Sequence, residues 1–130
     1  MGYDVEFIQL TVPSGTAFPV EPKLAARLLK SAASFSDPES VKASLLELEG
    51  CRPGPKGTVD YLGKGLSYAR IFARKDVVHV ENNCSAADLL KILGHLQKNY
   101  PKLLILDMQS RQLHTAESPV LGDNVVQLHA

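Results

Sequence analysis

The fold is decided by residues 66–107, which read LSYARIFARKDVVHVENNCSAADLLKILGHLQKNYPKLLILD. Within this stretch, residues 66–73 and 77–81 are rich in the β-branched and aromatic side chains that are typical of strands. The charged residues 74–76 lie between them and are suited to a turn. The pattern therefore predicts a β-hairpin.

A helix and a buried strand are predicted to follow the hairpin. Large apolar side chains repeat at helical spacing over residues 85–99, and Ser85 is placed to cap the helix N-terminus. Pro101 ends this helix because proline cannot continue its hydrogen-bond pattern. The consecutive apolar residues Leu103–Leu106 predict a strand that is covered on both faces.

The N-terminal part of the chain supplies a strand and two helices. Residues 4–12 alternate as a strand, and Pro22 suits the first turn of a helix. Ser36 and Glu39 have the spacing of a capping box, in which the serine is the N-cap. This box predicts an additional helix over Ser36–Glu49.

Weaker patterns complete the prediction. Residues 51–57 contain two prolines and two glycines, which predicts a surface loop after a left-handed Gly50. Residues 58–62 predict a short strand, and residues 112–116 predict a final edge strand. If residues 77–81 and 112–116 both lie at sheet edges, they offer backbone groups for pairing with another chain.

The order of elements predicts an α+β fold in the β-α-β-β-α-β arrangement of ferredoxin-like proteins, with the extra helix at Ser36–Glu49 as a departure. We expect an antiparallel or mixed sheet of four to five strands with the helices on one face. Another α+β fold with five strands is the alternative. The length of 130 residues fits one domain over residues 1–121, followed by a C-terminal tail at residues 122–130.

The charge balance restricts the class of partner. The chain has 14 Lys and Arg and 14 Asp and Glu, and this zero net charge argues against a dedicated nucleic-acid binder. The charges are nevertheless segregated, because residues 51–102 carry nine basic and four acidic side chains. The excess predicts a local cationic surface for an acidic partner or a small anionic ligand.

This cationic surface is predicted to lie on the hairpin. Arg70 and Arg74 are four residues apart in a strand, so they share a face with the aromatic side chains at positions 68 and 72. The combination resembles a nucleic-acid surface, but neutralisation of the arginines by Glu81 or Asp76 explains it more simply. The residues assigned to ligand or partner binding here and at the following helix start are Tyr68, Arg70, Arg74, Lys75, Asn82, Asn83 and Ser85.

The segment most similar to an active site is residues 79–85, where a strand leads into a helix. Backbone N–H groups at a helix N-terminus stabilise anions and lower the pKa of a nearby thiol. This predicts Cys84 as a nucleophile, with His79 or His114 as the general base. The simpler interpretation is that Cys84 is a small apolar side chain that fills space beneath the helix.

No metal or cofactor motif is present, and we assign neither. The glycines between residues 54 and 65 do not have the spacing of a phosphate-binding loop. Cys51 and Cys84 have no metal-ligand spacing and are predicted to be reduced thiols. A metal cluster requires the fold to bring together the scattered residues His79, Glu81, Asp107 and His114.

These observations predict a cytoplasmic protein that binds rather than catalyses. The longest apolar run has four residues, far fewer than the ~20 that span a bilayer, and the first residues do not resemble a signal peptide. The leading hypothesis is a small protein-interaction domain that forms a homo-oligomer or binds a specific protein. Two alternatives stay open, a cysteine-dependent enzyme that uses Cys84 and a regulatory domain that binds a small ligand.

Overall fold

The computed structural model describes residues 3–116 of the chain. Its strands are β1 (Tyr3–Gln9), β2 (Cys51–Pro53), β3 (Val59–Leu62), β4 (Tyr68–Ala73), β5 (Val78–Asn82), β6 (Leu103–Asp107) and β7 (Leu113–His114). Its helices are α1 (Pro22–Leu29), α2 (Pro38–Leu46) and α3 (Ala86–Gln97), with a short 3-10 turn at Pro55–Gly57. The strands form one antiparallel sheet in the order β2-β3-β4-β5-β1-β6-β7.

The sheet corrects the predicted topology. The fold is a sheet-dominated α+β structure, but the ferredoxin-like order with four to five strands is wrong, because seven strands pair and every described pair is antiparallel. The N-terminal strand β1 is inserted between β5 and β6, where Val5 pairs with Val80 on one side and Asp107 on the other. Such distant pairings leave no local pattern in the sequence. The strand predicted as an edge at residues 77–81 is therefore interior.

The two edges of the sheet are short. Residues 51–57, predicted as a loop, include the three-residue edge strand β2, which pairs with β3. The opposite edge is β7, where Val20 and Leu113 exchange backbone hydrogen bonds of 2.9 and 3.2 Å. Short and partly covered edges disfavour strand addition from another chain. The predicted tail at residues 122–130 lies outside the described residues.

Helices pack on both faces of the sheet, not on one face as predicted. On the first face, α2 and α3 bury their apolar side chains against the larger core cluster, which includes Val5, Phe7, Phe35, Val41, Leu45, Val59, Tyr61, Ile71, Val80, Leu89, Leu93 and Ile105. On the second face, α1 packs on a smaller cluster, which includes Ile8, Leu10, Val20, Ala25, Leu104, Leu106 and Leu113. As predicted for Leu103–Leu106, β6 is buried on both faces.

The helix starts are set by short polar side chains and proline. Helix α3 begins as predicted, because the Ser85 hydroxyl accepts a hydrogen bond of 3.2 Å from the Asp88 N–H. The predicted capping box at Ser36 is wrong by one residue. Asp37 is the N-cap of α2, and its carboxylate accepts from the Glu39 N–H at 3.1 Å. Pro38 then occupies the first helical position, where its missing N–H costs nothing.

A helix covers only part of the second face. The boundary between the covered and the uncovered part crosses β1. Glu6 and Ile8 point to the second face, whereas Val5 and Phe7 point into the larger core. The side of β1 that points to the second face is thus charged at Asp4 and Glu6 and apolar from Ile8 onward. Since α1 packs against the apolar part, the charged part continues into an area without a helix among residues 3–116.

Candidate functional site

We use the name open face for the part of the second sheet face that β3, β4, β5 and the start of β1 form without a helix packed on it. Because strand residues alternate between faces, the register of these strands determines which side chains share it. Its members are Asp4, Glu6, Asp60, Leu62, Tyr68, Arg70, Phe72, His79 and Glu81. Arg52 on β2 adjoins them, opposite Asp60.

The half of the open face on β3 and β4 is basic and aromatic. Arg70 pairs with Asp60 on the neighbouring strand, through hydrogen bonds of 3.0 Å from Nε and 3.3 Å from Nη2. The hydrogen bonds from Arg70 lower the pKa of the Asp60 carboxyl, against the opposing effect of its burial. The Arg70 guanidinium also lies 5.9 Å from the Tyr68 ring centre. The predicted neutralisation of Arg70 thus comes mainly from Asp60, not from Glu81 or Asp76.

Arg74 extends the basic half beyond the end of β4. Its guanidinium lies over the Phe72 ring at 5.5 Å from the ring centre, and the residue is exposed. Phe72 in turn contacts the His79 ring edge to face, with ring centres 5.8 Å apart. A continuous row of rings and guanidinium groups therefore crosses from β4 to β5.

The half of the open face on β5 and β1 is acidic and surrounds one imidazole. His79 Nδ1 lies 3.2 Å from Glu6 Oε2, a hydrogen bond in which the ring N–H donates to the carboxylate. On the other side of the ring, Nε2 lies 3.7 Å from Asp4 Oδ2 and 4.0 Å from Glu81 Oε2. The His79 side chain is only 14% exposed, whereas Glu81 is 52% exposed. Three carboxylates thus converge on one histidine.

A separate polar cavity of about 780 Å³ lies beside the start of α3. Asp88 accepts hydrogen bonds there from the Tyr61 hydroxyl at 3.0 Å and from the Ser67 hydroxyl. Burial, together with the hydrogen bond to Asp88, raises the pKa of Tyr61 to about 12. Lys64 and Lys91 also line the cavity. The Asp88 carboxylate is therefore already engaged by the protein, and the remaining charged groups of the lining are the carboxylate of Glu49 and the two ammonium groups.

The structure does not bring the proposed catalytic residues together. Cys84 is buried in the core cluster beneath α2 and α3, and its thiol donates to the Tyr68 carbonyl at 3.4 Å. His79 points to the opposite face of the sheet. His114 is buried on β7, three strands from β5, which corresponds to roughly 14 Å at about 4.8 Å per strand. Burial also raises the pKa of the Cys84 thiol, which opposes formation of a thiolate.

The residues predicted to bind a ligand or partner fall into two groups. Tyr68 and Arg70 lie on the open face, with Arg74 at its end, while Lys75 is exposed in the turn between β4 and β5. Ser85 caps α3, as described above. Asn83 is exposed just before it, and its backbone N–H donates to the Tyr68 carbonyl at 2.7 Å. Asn82 ends β5, and its side chain lies outside the described part of the structure.

The acidic residues that surround His79 and pair with Arg70 were not identified from the sequence. Asp4 and Glu6 join His79 because β1 pairs with β5, whereas Asp107 and His114, the partners considered from sequence, lie beyond β1 on β6 and β7. The only sequence signal was the pair of acidic residues on one side of the first strand. Asp60 was missed for the same reason, since its role depends on the pairing of β3 with β4.

Fold and site together define a sheet-dominated α+β protein with a charged, half-uncovered sheet face. No protein-family model matches the chain, and no curated protein or solved structure is significantly similar to it. Within residues 3–116, none of the helices combines the length and the hydrophobicity needed to cross a membrane.

Proposed function

We propose that the protein is a non-catalytic binding domain whose recognition surface is the open face. The observation that carries this proposal is the concentration of half-buried aromatic and charged side chains on a sheet face over which no described helix packs. Aromatic rings and arginines are the side chains that are enriched in protein interfaces and dominate their binding energy, and complementary charges add specificity. Within residues 3–116, the opposite face is covered by α2 and α3 and offers no comparable area.

We infer that the occupant of the open face is a second copy of the chain, because the charges on this face are complementary to one another. Arginines predominate on the β2–β4 side, whereas carboxylates predominate on the β5–β1 side. A two-fold axis that runs along the strands between β4 and β5 places β4 of one copy over β5 of the other. Arg70 then faces Glu81 of the second copy, and the two-fold axis repeats this favourable pair. The same axis places Asp60 opposite Asp4, a like-charge pair that limits the strength of the contact.

The size of the open face implies a reversible dimer. Four strands at about 4.8 Å spacing and of a few residues each cover on the order of 300–400 Å². Stable interfaces bury about 800 Å² on each partner, so this contact belongs among the weak and transient ones. Because much of its attraction is between partly exposed charges, association is expected to weaken as salt increases.

The experiment is a sedimentation analysis of the intact chain with EDTA present, at ~0.05 M and ~0.5 M salt. Glu81→Lys and Arg70→Glu are each expected to weaken association, and the double variant is expected to recover part of it. Glu47→Lys and Lys98→Glu carry the same charge changes on exposed positions of the helices of the other face, so they serve as controls. Circular dichroism confirms that each variant is folded, and Glu81→Lys tests the proposal even if Arg70→Glu unfolds.

A small ligand in the cavity beside α3 is the second candidate function. The volume of about 780 Å³ lies within the range of ligand sites, and Lys64 and Lys91 offer positive charge to an anion. Asp88 opposes anion binding because its carboxylate lies in the same cavity. A shift of the melting temperature with small anionic metabolites supports this candidate, provided that Lys91→Gln abolishes the shift.

The remaining expectations concern catalysis and location. The cysteine-dependent enzyme stays an untested prediction. It has little support, because Cys84 is buried, His79 lies on the opposite face of the sheet and His114 lies on β7, three strands from β5. We infer a cytoplasmic location because Cys51 and Cys84 form no disulfide within residues 3–116, as is typical of proteins in reducing compartments. Fractionation of cells that produce the protein tests this inference.

A further inference from the structure

We propose that Asp4, His79 and Glu81 form a binding site for a divalent transition-metal ion of the Zn²⁺ type. One ligand atom from each side chain lies within 4.8 Å of the other two. The three atoms are one imidazole nitrogen and two carboxylate oxygens, a donor set that Zn²⁺ and related ions accept. The geometry of this site is that of a single chain, although Glu81 belongs both to the site and to the proposed two-fold contact.

The register between β1 and β5 creates a local need for positive charge. Asp4 lies directly opposite Glu81, and Glu6 lies directly opposite His79. Like charges that face each other across two strands destabilise a sheet unless a cation lies between them. Arg70 is opposite Glu81 on its other side, but its guanidinium is hydrogen-bonded to Asp60. Arg111 lines a cavity next to Glu6.

The imidazole is held in the orientation that a metal ligand requires. In the neutral ring, a hydrogen bond from Nδ1 to the Glu6 carboxylate places the proton on Nδ1 and leaves the lone pair on Nε2. Nε2 is the atom that faces Asp4 and Glu81. A carboxylate behind a metal-bound histidine is a common arrangement in zinc sites, where it orients the ring and strengthens it as a ligand. Glu6 is therefore assigned as a positioning residue.

The distances are compatible with coordination after small movements of exposed side chains. A tetrahedral ion with bonds of about 2.0–2.1 Å keeps its ligand atoms about 3.3–3.4 Å apart. The observed separations from Nε2 are 3.7 Å to Asp4 and 4.0 Å to Glu81, and these carboxylates are 46% and 52% exposed. They can approach the ion without disturbing the core. A water molecule is expected as the fourth ligand, since the site is on the surface.

The donor set also predicts selectivity. Mg²⁺ and Ca²⁺ prefer oxygen ligands and bind imidazole poorly, whereas Zn²⁺ and Co²⁺ accept both nitrogen and oxygen. We therefore expect the intact chain to bind one Zn²⁺ or Co²⁺ and to show no comparable affinity for Mg²⁺. Three protein ligands, two of them mobile, imply a modest affinity.

The test is calorimetric titration of ZnCl₂ into the metal-free intact chain, together with the visible spectrum of the CoCl₂ complex. Replacing His79 by Gln or Glu81 by Gln is expected to weaken Zn²⁺ binding at least tenfold. Glu6→Gln is expected to weaken it by about 10- to 100-fold and to leave the melting temperature of the metal-free protein nearly unchanged. His95→Gln is the control, because His95 lies on α3 and donates to the Ser44 carbonyl at 2.6 Å.

Two results would overturn the proposal. The first is Zn²⁺ binding to the His79→Gln or Glu81→Gln variant with wild-type affinity. The second is a Co²⁺ complex with the intense near-ultraviolet absorption of thiolate ligation, which would assign the ion to Cys51 or Cys84. Glu81→Gln keeps the test decisive if His79→Gln fails to fold, because Glu81 is more than half exposed and its replacement removes like-charge repulsion.

Discussion

Arg70 and Asp60 lie directly opposite each other on β4 and β3 and are joined by two hydrogen bonds from one guanidinium to both oxygens of one carboxylate. The Asp60 side chain is only 10% exposed, so the carboxylate depends on this partner. The pair fixes the position of Arg70 on the open face and uses two of its five N–H donors, one on Nε and one on Nη2. The proposed interface therefore includes an arginine whose position Asp60 already fixes.

Asp60→Asn is expected to lower stability more than Glu39→Gln, which removes an exposed ion pair with Lys42 at 3.0 Å. The effect is also expected to depend on pH. Because the pKa of Asp60 is lowered in the folded protein, its stabilising contribution is complete above the ordinary value of 3.8 and is lost as pH falls through the lowered value. Urea unfolding of both variants and the wild type across the acid range measures these effects. An equal fall of the free energy of unfolding with pH in the wild type and in Asp60→Asn would contradict the predicted pH dependence.

Gly63→Ala is expected to destabilise the protein by about 1–3 kcal/mol, because the added methyl overlaps the Asp88 carboxylate and approaches the Ser67 side chain to 3.0 Å. The displaced carboxylate would also release its hydrogen bond from Tyr61. Gly94→Ala is the matched control, since nothing lies within 4 Å of its added methyl on the exposed side of α3. It is expected to stabilise by about 0.5–1 kcal/mol. Chemical denaturation measures the free energy of unfolding of both variants. An unchanged value for Gly63→Ala would contradict the packing around Gly63.

Both thiols are expected to react slowly in the native protein. Burial raises the pKa of Cys51 from 9.0 to about 11, which reduces the thiolate at neutral pH by about a hundredfold. Cys84 is fully buried, so it is expected to react more slowly still. Mass spectrometry of alkylation at pH 8, with and without urea, measures this protection. Rapid alkylation of Cys84 in the native protein would contradict this prediction and would support the hypothesis of a nucleophilic cysteine.

Local patterns in the sequence predicted the elements whose signals are contained within a few residues. The hairpin of β4 and β5, the cap at Ser85 and the left-handed φ of 96° at Gly50 belong to this class. Gly50 was expected to end the second helix, but α2 already ends at Leu46. The shift of the α2 cap from Ser36 to Asp37 was also readable, because Pro38 fits the first helical position and the residue before it is then the cap.

Long-range pairing could not be predicted in this way. β1 lies between strands that begin at Val78 and Leu103, and nothing within β1 specifies those neighbours. The composition of the candidate site depends on this insertion, since it brings Asp4 and Glu6 to His79. β2 was not predicted because it has only three residues and includes Pro53, a pattern that is typical of a loop. Only its pairing with β3 identifies it as a strand.

The measurement that tests the proposed binding function most directly is sedimentation of the intact chain over a range of concentrations, with EDTA present and at low salt. The proposal predicts that the apparent mass rises with concentration from one chain toward two, and that higher salt or Glu81→Lys reverses the rise while Glu47→Lys does not. A chain that remains monomeric at every concentration in low salt would contradict the assignment of the open face to a second copy.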